Sequence, residues 1–303
     1  MNIQYQNFNN LEILLIDDKS NDNTVKIIEE YKKEDERIIL IKNKKNKGTF
    51  TSRNLGVYYA KAKYIIIPDP DDIIDKNIIN SCFKYAQKYN YEIIRFNRYV
   101  GNNKVVFNDI VKNMENKALY QPELLNYIFY GNNELNIIDY WISNKFLTKE
   151  MYIQAINSLN KYYINLNISF AEDAMINFII YRTAKSLYFI EKVGYYYIKN
   201  SISITNNLFR NSELRIKFGF IFIKLVFDYS KNTKKEKDMF NHIFTNINKN
   251  FNILYKLSNI NKDFTFYINF INDYLKCKFI SKENRFILEN YKNIINKQIN
   301  NKK

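Results

Sequence analysis

Glycine and proline are scarce, with six and three in 303 residues. That excludes collagen-like, turn-dense and Pro-rich linker architectures and points to long elements joined by few sharp corners. Only two cysteines occur, Cys82 and Cys277, far apart in the chain. They form neither a disulfide framework nor a metal-ligand spacing, which suits a reducing compartment. One histidine, His242, argues against zinc chemistry and against any triad that needs an imidazole. Long hydrophobic runs are lacking too. The most apolar stretch, Phe218–Phe227, is interrupted by Lys224 and falls far short of the roughly 20 residues that span a bilayer. Met1–Asn10 is too polar for a secretory signal. A soluble, cytoplasmic protein is the expectation, and peripheral contact with a membrane is compatible with it.

What is present is ordinary for a globular chain: 46% hydrophobic and 25% charged residues. The length allows one large domain or two modest ones. Lys and Arg total 46 against 31 Asp and Glu, a formal charge of +15. The lysines are scattered, so the charge reads as a solvated surface rather than a polyanion-binding block. Without a recognisable nucleic-acid module, no nucleic-acid partner is expected. The abundance of Lys, Asn, Ile, Tyr and Phe looks like an AT-biased coding sequence.

Strand-like and helix-like periods alternate through the first hundred residues. Leu11–Ile16, Arg37–Ile41, Tyr64–Ile67 and Tyr91–Phe96 read as strands. Helical rhythm runs from Asn23, over Thr51–Lys61 and over Asp75–Tyr89, with Ser20, Asn21 and Asp22 as candidate caps. This alternation predicts an α/β fold with a Rossmann-related, mostly parallel sheet flanked by helices. Gly101–Tyr120 weakens into a polar connection. A helix is expected over Ala171–Ala184, then a strand pair, Leu187–Ile190 and Gly194–Ile198. From Asn206 onward the chain reads as a helical appendage.

In such sheets ligands bind beyond the carboxyl ends of the strands. The first and third strands end there in Asp17-Asp18 and in Asp69-Pro70-Asp71-Asp72. Clustered carboxylates repel one another and call for a cation or a basic partner. Two carboxylates on a proline-constrained turn suit a hard divalent ion that also takes phosphate oxygens. A solvated acidic turn is the plainer alternative.

The run Leu11–Thr24, then Asn46-Lys47-Gly48, Ser52–Gly56 and Tyr64–Asp72, resembles the family-2 glycosyltransferases in order and spacing. Phe170-Ala171-Glu172-Asp173 resembles that family's Glu-Asp motif. Trp141–Phe146 resembles its segment before the acceptor region, and Tyr195–Tyr197 with Ser201 and Ser203 resembles its Tyr-rich segment. The resemblance covers about Asn7–Thr205. It implies a GT-A-like domain over 1–205 and a separate helical region over 206–303. The implied activity is an inverting, metal-dependent transfer of a sugar from a nucleoside-diphosphate sugar to an acceptor hydroxyl, on a glycan or a lipid-linked or protein-linked acceptor. Carried over by position, Asp18 binds the nucleotide base, Asp69 faces the ribose or a metal-bound water, and Asp72 stands behind them. Asp71 is the main ligand of Mn²⁺ or Mg²⁺, Arg53 lies near the diphosphate with Asn54 beside it, and Asp173 is the general base with Glu172 next to it.

Two departures stand out. The strand and most of the helix that usually open the family are expected to be missing before Leu11. A catalytically impaired remnant acting as a binding scaffold is therefore the alternative function. Ala62 also replaces a glycine usual before the third strand, which puts a tight turn there in doubt.

Overall fold

Short apolar runs rich in Ile and Leu become the strands of the computed structural model, which describes residues 2–100, 116–130, 141–164, 172–198, 212–230, 233–251 and 265–300. A 3₁₀ turn (Asn2–Tyr5) precedes β1 (Ile13–Asp17), α1 (Thr24–Glu34), β2 (Ile38–Lys42), α2 (Gly48–Tyr59), β3 (Tyr64–Ile66) and β4 (Ile73–Ile74). Then come α3 (Ile78–Tyr89), β5 (Ile93–Val100), β6 (Ala118–Tyr120), α4 (Glu123–Tyr130) and β7 (Lys145–Thr148). The helices α5 (Lys149–Asn157), α6 (Lys161–Ile164) and α7 (Glu172–Thr183) lead to β8 (Ser186–Tyr197). Four more helices follow: α8 (Ser212–Asp228), α9 (Lys234–Phe251), α10 (Thr265–Leu275) and α11 (Lys282–Asn300).

The chain divides into two units, one of Met1–Gly131 with Ile138–Asn200 and one of Ser201–Lys303 with Asn132–Ile137. In the first, β1 and β2 form a parallel pair, Ile13 opposite Ile38 through Asp17 opposite Lys42. The remaining strands form a second sheet in the order β3-β7-β5-β8-β4, with β6 also on β8. The α/β class stands, but this sheet is mixed rather than mostly parallel. Within it β5 and β8 run parallel, while the β3–β7, β5–β7, β4–β8 and β6–β8 pairs are antiparallel. Alternation along the first hundred residues could not reveal this, because β7 and β8 are supplied from later in the chain and insert beside β5.

Three local details bear on the expectations. The strand pair near residue 190 is one strand, β8, whose register against β5 shifts around Asn97. Asn97 Nδ2 donates to the Glu191 carbonyl at 2.8 Å across that irregularity, so the extra backbone keeps a partner. At α1, of the candidate caps Ser20, Asn21 and Asp22, it is Asp22 whose Oδ1 accepts the Thr24 N–H, at 2.9 Å, as expected. Before β3, the Glu12 carboxylate accepts the Lys61 and Ala62 N–H groups at 2.6 and 3.0 Å. The turn expected to need glycine is thus held by a side chain, with no positive φ at Ala62. Gly101–Met114, Phe170, Ala171, Ser201 and Ser203 lie outside the described residues.

The core of this unit sits between α3 and the second sheet, where Ile78, Cys82, Ile94, Phe96 and Tyr195 are buried together. On α7, every residue from Ala174 to Tyr181 is buried, as a helix does when neighbours enclose it on all sides. Each fully buried large apolar side chain contributes roughly 1.5–3 kcal/mol. That sum is what holds two acidic residues in a sequestered first turn.

The second unit packs α8 to α11 around Phe220, Phe227, Phe240, Phe270, Tyr274 and Tyr291, all buried. Within it the buried Asn284 donates to the Asn241 carbonyl at 2.9 Å and accepts from Thr245 Oγ1 at 2.8 Å. No helix among the described residues is long and apolar enough to cross a membrane.

Candidate active site

Three stretches meet at Arg53. Residue 53 lies on α2, which packs against β1, α5 and α7. Its Nη2 donates to Asp69 Oδ1 at 2.5 Å, and its Nη1 donates to Glu172 Oε1 at 3.0 Å and to Asp173 Oδ1. The guanidinium is only 13% exposed. Burial opposes its charge, but the carboxylates of Asp173, Asp69 and Glu172 outweigh that and hold it more firmly protonated than usual. A planar fork with several donors can serve three carboxylates at once, which an ammonium could not do in this geometry.

The turn after β3 holds its acids in different states. Asp72 is buried: Tyr195 Oη donates to its Oδ2, and the Ile198 N–H donates to its Oδ1 at 2.8 Å. Burial raises its carboxyl above the usual range, against those two hydrogen bonds. The Asp69 N–H also donates to Tyr195 Oη, at 3.2 Å. One tyrosine therefore fixes both ends of the Asp69–Asp72 turn. Asp71 is exposed and has no hydrogen bond or ion pair with the described residues.

Asp18 lies at the other acidic strand end. Its Oδ1 accepts from Asn43 Nδ2 at 2.8 Å and from the Lys47 N–H at 2.9 Å; its Oδ2 accepts from the Gly48 N–H at 2.8 Å. Burial pushes the carboxyl up, but hydrogen bonds from Lys47, Asn43, Gly48 and Ser52 prevail and hold it below its ordinary value. Asp18 thus ties the end of β1 to the start of α2, where Gly48 takes a φ of +82°. Asp17 accepts the Ser20 N–H at 3.2 Å, a turn-supporting contact.

Glu172 and Asp173 open α7, where the helix dipole favours acids. Burial dominates nevertheless. It raises Glu172 to about 7, aided by repulsion from Asp173 and opposed by Arg53, and raises Asp173 to about 6 against the pull of Arg53. The Ile142 N–H reaches Asp173 Oδ2 at 3.5 Å. Nearby, the buried Lys145 donates through Nζ to the Trp141 carbonyl and, at 3.2 Å, to Asn144 Oδ1. Its charge is a minor influence lowering Asp173.

Among the predicted residues, Arg53, Asp69 and Asp173 are thereby brought into direct contact. Asp71 shares their turn, and Asp18 anchors the α2 that carries Arg53. Asn54 serves packing: it is buried and accepts from Tyr152 Oη at 2.8 Å. The bracing roles of Tyr195 and Asn43 were not foreseen, and Glu172 does more than neighbour Asp173. The Tyr-rich run around 195 was the only signal for the first of these.

The donor set bears on a metal. No three acidic, His or Cys side chains converge into a ready-made cage among the described residues. Among the described acids of this cluster, Asp71 offers the uncommitted carboxylate. One free carboxylate beside this cluster of acidic side chains fits Mg²⁺ or Mn²⁺ arriving with a diphosphate, since such ions take few protein ligands and complete their shell with phosphate and water.

Residues 2–154 match the sequence model of Glycosyl transferase family 2. The chain belongs to this family. It is 25% identical over 200 residues to the uncharacterized glycosyltransferase EpsJ of Bacillus subtilis, covering 66% of this chain and 56% of that one. To the poly(ribitol-phosphate) β-N-acetylglucosaminyltransferase TarP of Staphylococcus aureus it is 26% identical over 208 residues, 67% of this chain and 57% of that one. To GlyG of Streptococcus pneumoniae it is 32% identical over 94 residues, 31% of each chain. The chain thus spans between about a third and somewhat over half of these relatives' lengths.

The fold matches residues 1–349 of S. aureus TarS bound to UDP-GlcNAc, with a TM-score of 0.68, 17% identity, and 97% of this chain and 83% of that one covered. A mannosyltransferase of Pyrobaculum calidifontis, solved with GDP-Man and Mn²⁺, matches with a TM-score of 0.52 and 10% identity over 100% and 82%. The architecture is therefore GT-A-like with C-terminal helices. The expectation of a missing opening strand and helix is not supported, because the family match begins at residue 2 and the structural matches take in nearly the whole chain.

Proposed function

We propose that this chain is an inverting glycosyltransferase that moves a sugar from a nucleoside-diphosphate sugar to an acceptor hydroxyl on a glycan or lipid-linked glycan. What carries the reading is Arg53, whose guanidinium joins the Asp69 turn to Glu172 and Asp173. Side chains from three stretches distant in sequence thus meet at one guanidinium, which supports the reading. Names among the relatives point the same way: TarP glycosylates poly(ribitol-phosphate), and WfgD of Escherichia coli transfers glucose from UDP-Glc to a GlcNAc-diphosphoundecaprenol.

Around Arg53 stand Asp69 and Asp173, with Asp71 and Asp72 adjoining and Glu172 partly neutralised by burial, so acidic groups outnumber basic ones. A diphosphate cannot enter such a place without a counter-cation. Asp71 is the residue that would hold it, and a divalent ion bound there supplies Lewis-acid neutralisation of the leaving diphosphate. Arg53 turns part of its donor fork from Asp173 to phosphate oxygens, a bidentate match it makes well. Released from that ion pair, Asp173 takes the acceptor hydroxyl's proton as the oxygen attacks the anomeric carbon. One base and one displacement invert the configuration, by the logic that applies to inverting glycosidases. Asp18 shapes the base-binding side by holding the Lys47–Gly48 loop, and Asp69 faces the ribose.

Asp173→Asn is the test. It keeps the size of the side chain and one accepting oxygen for Arg53 but cannot take a proton, so turnover falls about 10²–10⁴-fold while nucleotide binding is retained. Turnover within about twofold of the parent would remove Asp173 from the role of base.

A further inference from the structure

The acidic turn after β3 is constrained from several directions before any ligand arrives. Its backbone closes on itself, the Asp72 N–H donating to the Asp69 carbonyl at 3.3 Å, and Pro70 fixes φ at the second position. Tyr195 holds both ends of the turn through one atom. Its Oη accepts the Asp69 N–H at 3.2 Å and donates to Asp72 Oδ2. The other oxygen of Asp72 accepts the Ile198 N–H at 2.8 Å, and Asp69 Oδ1 takes Arg53 at 2.5 Å. Between these two anchored acids, Asp71 is exposed. Tyr195 is itself immobilised: only 1% of it is exposed, it pairs with Ile74 of β4, and the carbonyl of Gly194 before it accepts the Asp75 N–H at 3.0 Å.

We infer that Tyr195 is a positioning residue for the divalent ion: through its hydroxyl it holds the Asp69–Asp72 turn in the shape that presents Asp71 to the metal. This rests on the donor and metal reading proposed above and adds the group that sets how tightly the metal is held. The physical grounds lie in the turn. An ion of this kind takes only one or two protein carboxylates and completes its shell with water and phosphate. So few ligands leave little surplus with which to order a loose loop, and a turn already in place avoids that loss. A phenol hydroxyl in so buried a place is unfavourable unless hydrogen-bonded, and here its partners are the two ends of this turn. Phe would fill the same space without tying them. Tyr195 is too buried to reach the ion or the diphosphate, so its influence passes through Asp71.

The experiment measures nucleotide affinity of the full chain by calorimetry, in EDTA and then through a series of Mn²⁺ concentrations. UDP is the probe, with GDP in its place if UDP gives no heat. Parent, Tyr195→Phe, Asp71→Ala and the double variant are compared. Tyr195→Phe should need about tenfold more Mn²⁺ to reach half of the gain in affinity, while its affinity in EDTA stays within about twofold of the parent. Added to Asp71→Ala, the same change should have no further effect, because a group that acts through Asp71 is silent once that carboxylate is gone. An unchanged Mn²⁺ requirement would overturn the inference. So would losses that add in the double variant or appear equally in EDTA, which mark general damage. Where Tyr195→Phe does not fold, amide exchange in the parent decides. The Asp69 and Ile198 N–H groups should be as protected without ligand as with Mn²⁺ and nucleotide; protection that appears only with the ion would overturn a preset turn. Equal nucleotide binding by the parent in Mn²⁺ and EDTA would instead remove the metal reading of Asp71, and binding of neither nucleotide would remove the donor reading.

Discussion

Arg53, Glu172 and Asp173 form a charge cluster whose protonation is set by competition between burial and one guanidinium. Desolvation is the larger influence on both acids, so each carboxyl titrates above its ordinary range. Two consequences follow at the level of single groups. If Asp173 is the base proposed above, burial, which raises its carboxyl above the ordinary range, makes kcat/KM climb with pH between 5 and 8 and then level off, since only the deprotonated form accepts a proton. A flat profile between pH 5 and 8 would contradict that. For stability the sign is opposite. Glu172 is raised from 4.5 to about 7 on folding, so its protonated form is stabilising below pH about 4.5 and the benefit is lost as pH rises through about 7. Gln at 172 stays neutral throughout. The Tm of Glu172→Gln relative to the parent should therefore improve between pH 5 and 8, by an amount on the order of 2–4 °C for each kcal/mol of linkage. A relative decline across that range would mean that the ion pair with Arg53 outweighs burial.

Elements, not single residues, decide how rigidly the acidic turn is held. The Asp69–Asp72 turn feeds β4, which pairs with β8 through Ile73–Tyr196 and Ile74–Tyr195. Gly194, at the approach to that pairing, accepts the Asp75 N–H at 3.0 Å. A Cβ there would lie 2.3 Å from Ile78 and 2.6 Å from Phe96, both fully buried. Neither neighbour has room to retreat. Gly194→Ala should cost about 1–3 kcal/mol by overpacking, read as a lowered denaturation midpoint with unchanged slope. It should also loosen the hold of Tyr195 on Asp69 and Asp72. An unchanged midpoint would show that α3 yields more easily than its packing implies. This contact was invisible in the sequence, which shows only one of six glycines between two apolar runs. What the sequence did carry was local: the β1, β2, β3 and α1 to α3 periods, and the acids at strand ends. What it did not carry was long-range. The antiparallel insertion of β7 depends on a strand more than 75 residues after β3 pairing Tyr64 with Thr148. The bracing of the acidic turn by Tyr195 depends on a residue 126 positions away from Asp69. Asp18 shows a subtler limit: a carboxylate after a strand reads as a ligand group, and only the fold shows it holding the Lys47 and Gly48 amides as well.

For the molecule as a whole, the formal charge of +15 and the acidic pocket stand in contrast. The overall field favours approach of an anionic nucleotide, while the five carboxylates of Asp69, Asp71, Asp72, Glu172 and Asp173 oppose its final seating. On the proposed function, that opposition would make a cation a condition of binding rather than an accessory. The site residues named above all fall within Met1–Gly131 and Ile138–Asn200. The measurement that bears most directly on this account is calorimetric titration of the full chain with UDP, and then GDP, in Mn²⁺ and again in EDTA, for the parent and Asp71→Ala. The account predicts saturable heat for at least one nucleotide in Mn²⁺, with affinity falling at least about tenfold, or about 1.4 kcal/mol, both in EDTA and in the variant. Binding of equal strength with and without the metal, or in Asp71→Ala, would contradict it.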